Sequence, residues 1–383
     1  MTSGTDEFGE GLSMDDVSEF REGLASDLNR NLDQLKDKED TIRKREEKVG
    51  VDSLMIFWTK GLEGNSVSER TKESYRTLFR QWRNHMESEG RHLACPSEEN
   101  VRNFVQYLSE VRENGDKTVS EKLKRLNAVF KFWQDDGAFP HNKDFNPVSS
   151  VLKSTSFHIE SEKPPHQIEL EELREIVGSI KHQRDLAIVT SLLKLGVRAT
   201  ALSNVKLRDI SLSDPDIQEV YPELGTSQHV RHRENAIYIP HDRQGNKSYN
   251  PRVMPLDDEL RRAIRSWLLI RWDNDEPHLF LGKDSHSKMG RDGINNVMKK
   301  YFPEKYLQDT ELHTGITSKY GRHRFTTHWK VQENINGQKL LYMRGDAKAG
   351  KDFTSSDAIS SYLHTYYDDI REPYLSRIYK LGI

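Results

Sequence analysis

The chain has 383 residues, of which 34% are apolar and 31% charged, and its formal net charge is -3 at pH 7. This length predicts two domains, and the sequence has no run of about 18 apolar residues that could form a membrane-spanning helix. The acidic first 16 residues contain no apolar core, so we expect no signal peptide. A single cysteine, Cys95, excludes a disulfide framework and a cysteine-rich zinc site. The composition therefore predicts a cytoplasmic protein that is not inserted in a membrane.

The first 50 residues have the character of a separate extension. They carry 14 acidic and 8 basic residues, which leaves a net charge of +3 for the rest of the chain. Apolar residues between Val17 and Val49 recur at helical spacing and form a thin seam. Two interpretations remain open, a solvated charged helix or a helix that self-associates or binds a partner. Neither net charge indicates nucleic-acid binding, so any site for a polyanion must be a local cluster.

Residues 51–160 have the pattern of a helical bundle. Capping-box sequences that begin at Ser66 and Thr118 each precede an apolar face rich in aromatic residues. Such aromatic stripes are more typical of a packed core than of a base-stacking platform. Basic residues cluster around Arg76 and Lys124 and could follow DNA phosphates. Because acidic residues balance them, a solvated surface is the default interpretation.

A proline-containing linker at residues 161–167 separates this bundle from a second domain. Prolines remove backbone donors and disfavour helix at the preceding residue. Residues 168–383 predict mostly helices, together with a hairpin whose strands are Ala236–Pro240 and Arg252–Leu256 and whose turn contains Gly245 and Asn246. The expected fold class is therefore mainly α with a small β-hairpin or sheet (α+β).

Two patterns that suggest cofactors are incomplete. The segment from Gly345 to Asp352 is close to a phosphate-binding loop, but Asp352 replaces the hydroxyl residue that would hold magnesium, and no strand is predicted before it. Two histidine pairs, near residues 230 and 325, lack a third ligand at a conventional spacing. We therefore expect no nucleotide, no metal and no other cofactor.

Four separated segments form a recognisable set. They are Leu195 to Leu202, Gln244 to Lys247 with Pro251 to Leu256, Lys319 to His328, and Tyr362 to His364. In this order and spacing they resemble the tyrosine recombinase (phage integrase) family, particularly its archaeal mobile-element members, and the likeness extends from about residue 52 to residue 380. The resemblance implies a helical core-binding domain at residues 51–160 and a catalytic domain at residues 168–383, while the N-terminal helical extension at residues 1–50 lies outside it.

The resemblance assigns phosphate-binding roles to two arginines. Transfer of a DNA phosphodiester places extra negative charge on two non-bridging oxygens, and planar guanidinium groups suit such oxygens. Arg198 matches the first arginine of the family and Arg322 the second. Lys247 resembles the hairpin lysine that delivers a proton to the leaving 5′ oxygen, although an alignment on Gly245 would place Gln244 there.

Two further positions depart from the family pattern. The segment that contains Arg322 usually begins with a histidine, which here is Lys319. A lysine can donate a hydrogen bond or a proton but is a poor base. The position that the family fills with histidine or tryptophan is Asp346, and a carboxylate beside a phosphate is unfavourable. We expect Asp346 to turn away, to pair with Arg344 or to hold another group in place.

The attacking residue of the family is a tyrosine. Three tyrosines lie between residues 360 and 367, and Tyr362 has the Tyr-x-His context that is common in the family, while Tyr366 and Tyr367 remain alternatives. A phenol has an unperturbed pKa of about 10, so attack at neutral pH needs positive neighbours or a base. The implied enzyme binds double-stranded DNA, forms a 3′-phosphotyrosine intermediate, assembles as a homo-tetramer on DNA, and integrates or excises a mobile element.

Two other functions remain open from the sequence. The substitutions at Lys319 and Asp346 are also compatible with a non-cleaving DNA-binding protein derived from the same fold. The helical bundle and the acidic extension are compatible with a scaffold that does not bind DNA. A covalent protein–DNA adduct separates the enzyme from the first of these, and a DNA mobility shift at low salt separates it from the second.

Overall fold

The computed structural model describes residues 37–63, 67–159, 163–346 and 366–383. The chain divides into two compact units at residues 161 and 162. Helices are the main secondary structure among the described residues of both units, and the second unit also contains a three-stranded sheet, which confirms the expected fold class. Within the described ranges, no helix combines the length and the apolar character that crossing a membrane requires.

The first unit is a bundle of helices. Its helices are α1 (residues 37–49), α2 (Ser53–Phe57), α3 (Glu69–Ser88), α4 (Glu98–Gln106), α5 (Asp116–Asp135) and α6 (Pro147–Ser154). Trp82, Phe104 and Trp133 are fully buried in its centre. The rings of Trp82 and Phe104 meet edge to face with centroids 4.9 Å apart. Each such side chain contributes roughly 1.5–3 kcal/mol by leaving water, so the aromatic faces form a packed core as expected.

Helix α1 packs within the first unit. Ile42 is 1% exposed and belongs to the core of the bundle. Arg45 forms an ion pair with Asp136 at 2.9 Å, and the Glu46 carboxylate accepts hydrogen bonds from the backbone and hydroxyl of Ser53 at 2.7 and 2.6 Å. The described part of the predicted extension thus stabilises the bundle by contacts inside its own chain, while the rest of the extension lies outside the described residues.

Two helices begin at positions that differ from the predicted capping boxes. Helix α3 is capped by Ser68, whose hydroxyl accepts from the backbone of Thr71, rather than by Ser66. Helix α5 begins at Asp116 after Gly115, so Thr118 lies in its first turn. The carboxylate of Asp116 is stabilised at this end by the partial positive charge of the helix N-terminus. An acidic first residue therefore replaces the hydroxyl cap that the sequence suggested.

The second unit surrounds a central buried helix. Its helices are α7 (Leu170–Gly178), α8 (Gln183–Leu195), α9 (Ala199–Ser203), α10 (Pro215–Val220), α11 (Asp258–Leu268), α12 (Arg291–Tyr301), α13 (Lys319–Thr327), α14 (Gly337–Arg344) and α15 (Tyr367–Arg377). Its strands are β1 (Ile210–Ser211), β2 (Ala236–Ile239) and β3 (Arg252–Pro255). The side chains of α8 from Ala187 to Leu195 are all buried. Helix α8 thus forms the centre around which the other elements pack.

The sheet contains the predicted hairpin. Its strand order is β1-β2-β3, and both pairs are antiparallel. Strands β2 and β3 pair from Ala236 opposite Pro255 to Ile239 opposite Arg252, so each strand is one residue shorter than predicted. The turn residue Gly245 has φ +82°, a left-handed conformation that glycine adopts without strain.

Two close approaches hold α13 against α8. At Gly321, a Cβ atom would collide with the backbone carbonyl of Leu192. At Gly196, which ends α8 with φ +58°, a Cβ atom would lie 2.5 Å from the ring of Phe325. Glycine at these positions lets the two helices approach backbone to backbone, and so places the segment after α8 beside the first turn of α13.

The last residues of the chain are anchored to α8 and α11. The buried ammonium of Lys194 lies 2.6 Å from Asp257 and 2.7 Å from Glu259. Glu259 also accepts hydrogen bonds from the backbone of Leu381 and Gly382 at 2.8 and 2.7 Å. These contacts satisfy charges that would be costly to bury alone, and they fix the C-terminal segment on its own unit.

Candidate active site

The two arginines predicted to bind phosphate lie side by side. Arg322, in α13, is 8% exposed, and its Nη1 donates to the carbonyls of Gly196 at 2.9 Å and Arg344 at 3.0 Å. Arg198 is the N-cap residue of α9, and its side chain is 36% exposed. The left-handed turn at Gly196 therefore presents Arg198 to solvent while its carbonyl fixes the buried guanidinium of Arg322.

The carboxylate of Asp346 lies where the arginines converge. Its Oδ1 is 2.5 Å from Nη2 of Arg322 and 3.5 Å from Nη2 of Arg198. Its Oδ2 is 2.8 Å from Nε of Arg344. Asp346 therefore pairs with Arg344, which was one of the expected possibilities, and contacts both other arginines as well. One carboxylate oxygen shared by two guanidinium groups is the arrangement that a phosphate oxygen would also adopt.

A further arginine, Arg252, lies beside these groups. It is the first residue of β3, is 2% exposed, and sits against Gly345, where a Cβ atom would collide with its Nη1. Its Nη1 is 3.5 Å from the hydroxyl of Ser248. Arg252 belongs to one of the segments that resemble the family, but the resemblance assigns it no role. The burial of Arg252 depends on contacts with residues far along the chain, which the sequence does not reveal. The one signal in the sequence was a charged residue in a strand whose other residues are apolar.

Burial changes the acidity of two of these arginines. It lowers the pKa of Arg322 to about 10, opposed by the nearby charge of Asp346. Burial, with the positive charge of Arg322, lowers the pKa of Arg252 to about 9. Both values lie above neutral pH, so both guanidinium groups carry their charge under physiological conditions. The site therefore presents concentrated positive charge in surroundings that water screens poorly.

The hairpin brings Lys247 to the same place. Its backbone carbonyl lies 3.5 Å from Nη1 of Arg198, and its side chain is exposed. The hairpin is tied down because the backbones of Tyr249 and Asn250 donate to the carbonyl of Gly345 at 2.9 and 3.3 Å. Gln244, the alternative in the other register, is exposed, and its carbonyl accepts from an asparagine of the α9 turn.

Lys319 is the first residue of α13 and is exposed. Its backbone amide donates a hydrogen bond to the hydroxyl of Thr317 at 3.3 Å. Residues three apart on a helix are neighbours on its surface, so Lys319 borders Arg322. The neighbouring Arg324 points elsewhere and donates to the carbonyl of Ile168 at 3.1 Å.

The predicted nucleophile, Tyr362, lies outside the described residues, as do all residues from 347 to 365. Of the two alternatives, Tyr366 is 64% exposed. Tyr367 is 5% exposed, packs against Val253, and has the guanidinium of Arg233 5.1 Å from its ring centroid. Burial raises the pKa of Tyr367, which disfavours the phenolate that attacks a phosphate. These contacts fit the helix-packing interpretation of Tyr367.

No family model matches the sequence, but several curated proteins do. Tyrosine recombinase XerC of Staphylococcus carnosus is 30% identical over 319 residues, which cover 81% of this chain and 91% of that protein. Tyrosine recombinase XerA of Pyrococcus horikoshii is 24% identical over 274 residues, or 68% of this chain and 82% of that protein. XerC of Staphylococcus epidermidis is 27% identical over 161 residues, 40% of this chain, and there the chain spans 50% of the relative's length.

Solved structures share the fold. The Tn1549 transposon integrase in complex with transposon right end DNA has 16% identity and a TM-score of 0.54, with 84% of this chain and 98% of that chain covered. A lambda integrase dimer bound to a core site has 12% identity and a TM-score of 0.52, with coverage of 86% and 77%. At these identities the likeness concerns the fold alone. The identity to XerC of Staphylococcus carnosus across most of both chains shows that this chain belongs to the tyrosine recombinase family.

Proposed function

We propose that this protein is a site-specific recombinase that cleaves and rejoins double-stranded DNA through a 3′-phosphotyrosine intermediate. The observation that carries the proposal is the convergence of Arg198 and Arg322 on one carboxylate oxygen of Asp346. Two guanidinium groups set for one anionic oxygen can bind the non-bridging oxygens of a scissile phosphate. Because they are fixed before the substrate arrives, they can stabilise the charge that develops in the transition state.

The proposed chemistry exchanges one phosphodiester for another. The phenol of Tyr362 releases its proton to solvent as its oxygen attacks the phosphorus atom, the bond to the 5′ oxygen breaks, and Lys247 supplies the proton that makes the leaving group a hydroxyl. Lys319 borders the phosphate as a hydrogen-bond or proton donor. The 5′ hydroxyl of a partner strand then attacks the phosphotyrosine and releases the tyrosine. The covalent bond stores the phosphodiester energy, so the scheme includes neither a nucleotide nor a metal.

The remaining expectations concern where and how the protein acts. The bundle at residues 51–160 is proposed to bind DNA through exposed basic residues such as Arg70, Arg80 and Lys124, and residues 168–383 form the proposed catalytic domain. The similar structures include a transposon integrase in complex with DNA and a lambda integrase tetramer bound to a Holliday junction. They support a role as a homo-tetramer that integrates or excises a mobile element. The cytoplasm is the proposed location.

A trapping experiment tests this proposal. Nicked suicide duplexes with a randomised core sequence, incubated with the full chain in a chelator, should give a covalent adduct that survives denaturing electrophoresis. Tyr362→Phe should abolish the adduct, while Tyr366→Phe serves as the matched control and should retain it. The opposite result would move the nucleophile to Tyr366. If the wild-type protein binds DNA in a salt-sensitive manner but never forms an adduct, the non-cleaving alternative replaces the proposal.

A further inference from the structure

Arg252 is a buried charged residue, and part of its guanidinium group has no hydrogen-bond acceptor among the described residues. It is 2% exposed, and its Nε and Nη2 have no hydrogen-bond acceptor among the residues that the structure describes. Among the described residues, its one hydrogen-bond contact is with the Ser248 hydroxyl at 3.5 Å, the outer limit for a hydrogen bond. A guanidinium that is buried without a carboxylate partner is costly to fold. Methionine, which is unbranched and uncharged, would avoid that cost.

The position of Arg252 connects it to the phosphate-binding groups. Its Nη1 lies against Gly345, which precedes Asp346, and its contact residue Ser248 follows Lys247 in the hairpin. Burial is the main cause of the lowered pKa of Arg252; the positive charges of Arg322 and Arg198 lower it further, and the negative charge of Asp346 opposes them. Arg252 therefore lies within the electrostatic field of the same groups that meet at the site.

The charges around Asp346 do not balance within the described part of the chain. Arg198, Arg322 and Arg344 all pair with this one carboxylate, and Arg252 adds a further positive charge beside them. A bound phosphodiester would bring one negative charge into this cluster. Since Arg252 is shielded from water and salt, its attraction for that charge is weakly screened.

We infer that Arg252 is a positioning residue of the active site, which supports the Gly345–Asp346 backbone under the Arg198–Arg322 pair and strengthens phosphate binding through its buried charge without touching the phosphate. This inference rests on the proposed function, because it assigns the anion bound by the pair as a DNA phosphate. It explains why a charge that weakens the fold is placed at this point of β3.

The test measures phosphate affinity separately from catalysis. The full chain is titrated with inorganic phosphate, and the rise in melting temperature gives the dissociation constant. Arg252→Met should weaken phosphate binding by about three- to tenfold, the effect expected for one poorly screened charge nearby, while the melting temperature without phosphate stays the same or rises. Arg252→Lys, which restores the charge, should recover most of the affinity. Arg252→Gln replaces the methionine variant if that variant does not fold.

Two control variants make the result decisive. Arg271 is also buried, at 4% exposure, but its guanidinium donates to several backbone carbonyls, so Arg271→Met should lower the melting temperature and leave phosphate affinity unchanged. Arg198→Ala should weaken phosphate binding because it removes a direct contact. The inference is overturned if Arg252→Met binds phosphate as tightly as the wild type does or if Arg252→Lys does not recover phosphate affinity. It is also overturned if Arg198→Ala leaves phosphate affinity unchanged. Failure of the proposed function would instead appear as a wild-type protein that forms no DNA adduct.

Discussion

Replacing Asp346 by asparagine tests whether its carboxylate competes with the substrate for the arginines. The contact between Asp346 and Arg322 is 2.5 Å long and partly buried, with side-chain exposures of 18% and 10%. A hydrogen bond between charged groups of this kind stabilises the fold by about 1.5–3 kcal/mol. A phosphate that takes over the guanidinium groups must displace it. If the amide in Asp346→Asn binds the arginines about 1.4 kcal/mol more weakly than the carboxylate does, phosphate displaces it more easily and should bind about tenfold more tightly.

The assay is non-covalent DNA binding in the Tyr362→Phe background, measured by fluorescence anisotropy at one fixed salt concentration because such affinities depend strongly on salt. Urea unfolding should show a stability loss of about 1–3 kcal/mol. Asp214→Asn is a matched control, because Asp214 has 17% side-chain exposure and pairs with Arg265 away from the site. It should lower stability without tightening DNA binding. Weaker DNA binding by a folded Asp346→Asn protein would refute the reasoning and show that the carboxylate orients the arginines for the substrate.

Two further substitutions test the framework of the site. Gly196→Ala places a methyl group against the ring of Phe325 and an alanine at φ +58°, so it should destabilise the protein by more than about 1 kcal/mol and slow adduct formation. Gly90→Ala is the control for backbone strain alone, because Gly90 has φ +63° and nothing lies within 4 Å of an added Cβ. Equal losses of stability in both variants would contradict the role of the ring contact. Lys194→Met leaves the carboxylates of Asp257 and Glu259 without their buried ammonium, and urea unfolding should show a loss of about 3–5 kcal/mol. An unchanged unfolding midpoint would contradict the importance of that ion network.

Local signals in the sequence were sufficient for the parts of the fold that depend on neighbouring residues. The hairpin followed from alternating apolar residues on either side of Gly245, and its strands pair within the predicted ranges, from Ala236 opposite Pro255 to Ile239 opposite Arg252. The break after α8 followed from Gly196, whose left-handed conformation the structure shows. The resemblance to a family placed Arg198 and Arg322 in one site before any distance was known, and their shared contact with Asp346 agrees with that placement.

Features that depend on distant contacts could not be predicted. Burial of Arg252 arises because the strand packs under Gly345, far along the chain. The packing of Ile42 in the bundle core was hidden by the many charges around it in the sequence. The true start of α5 at Asp116 depends partly on a contact with the backbone of His158 at 2.6 Å, which no local pattern shows. No pattern in the sequence indicates that Asp346 pairs with three arginines at once.

The hydrogen bond from Arg322 to the carbonyl of Gly196 has a consequence for how much variation the site tolerates. The peptide group that accepts this bond lies two residues before Arg198, so the guanidinium of Arg322 is held by the same short stretch of main chain that carries Arg198. Side chains elsewhere on the surface can then be exchanged, for example to read a different DNA sequence, without moving the backbone that relates the two arginines.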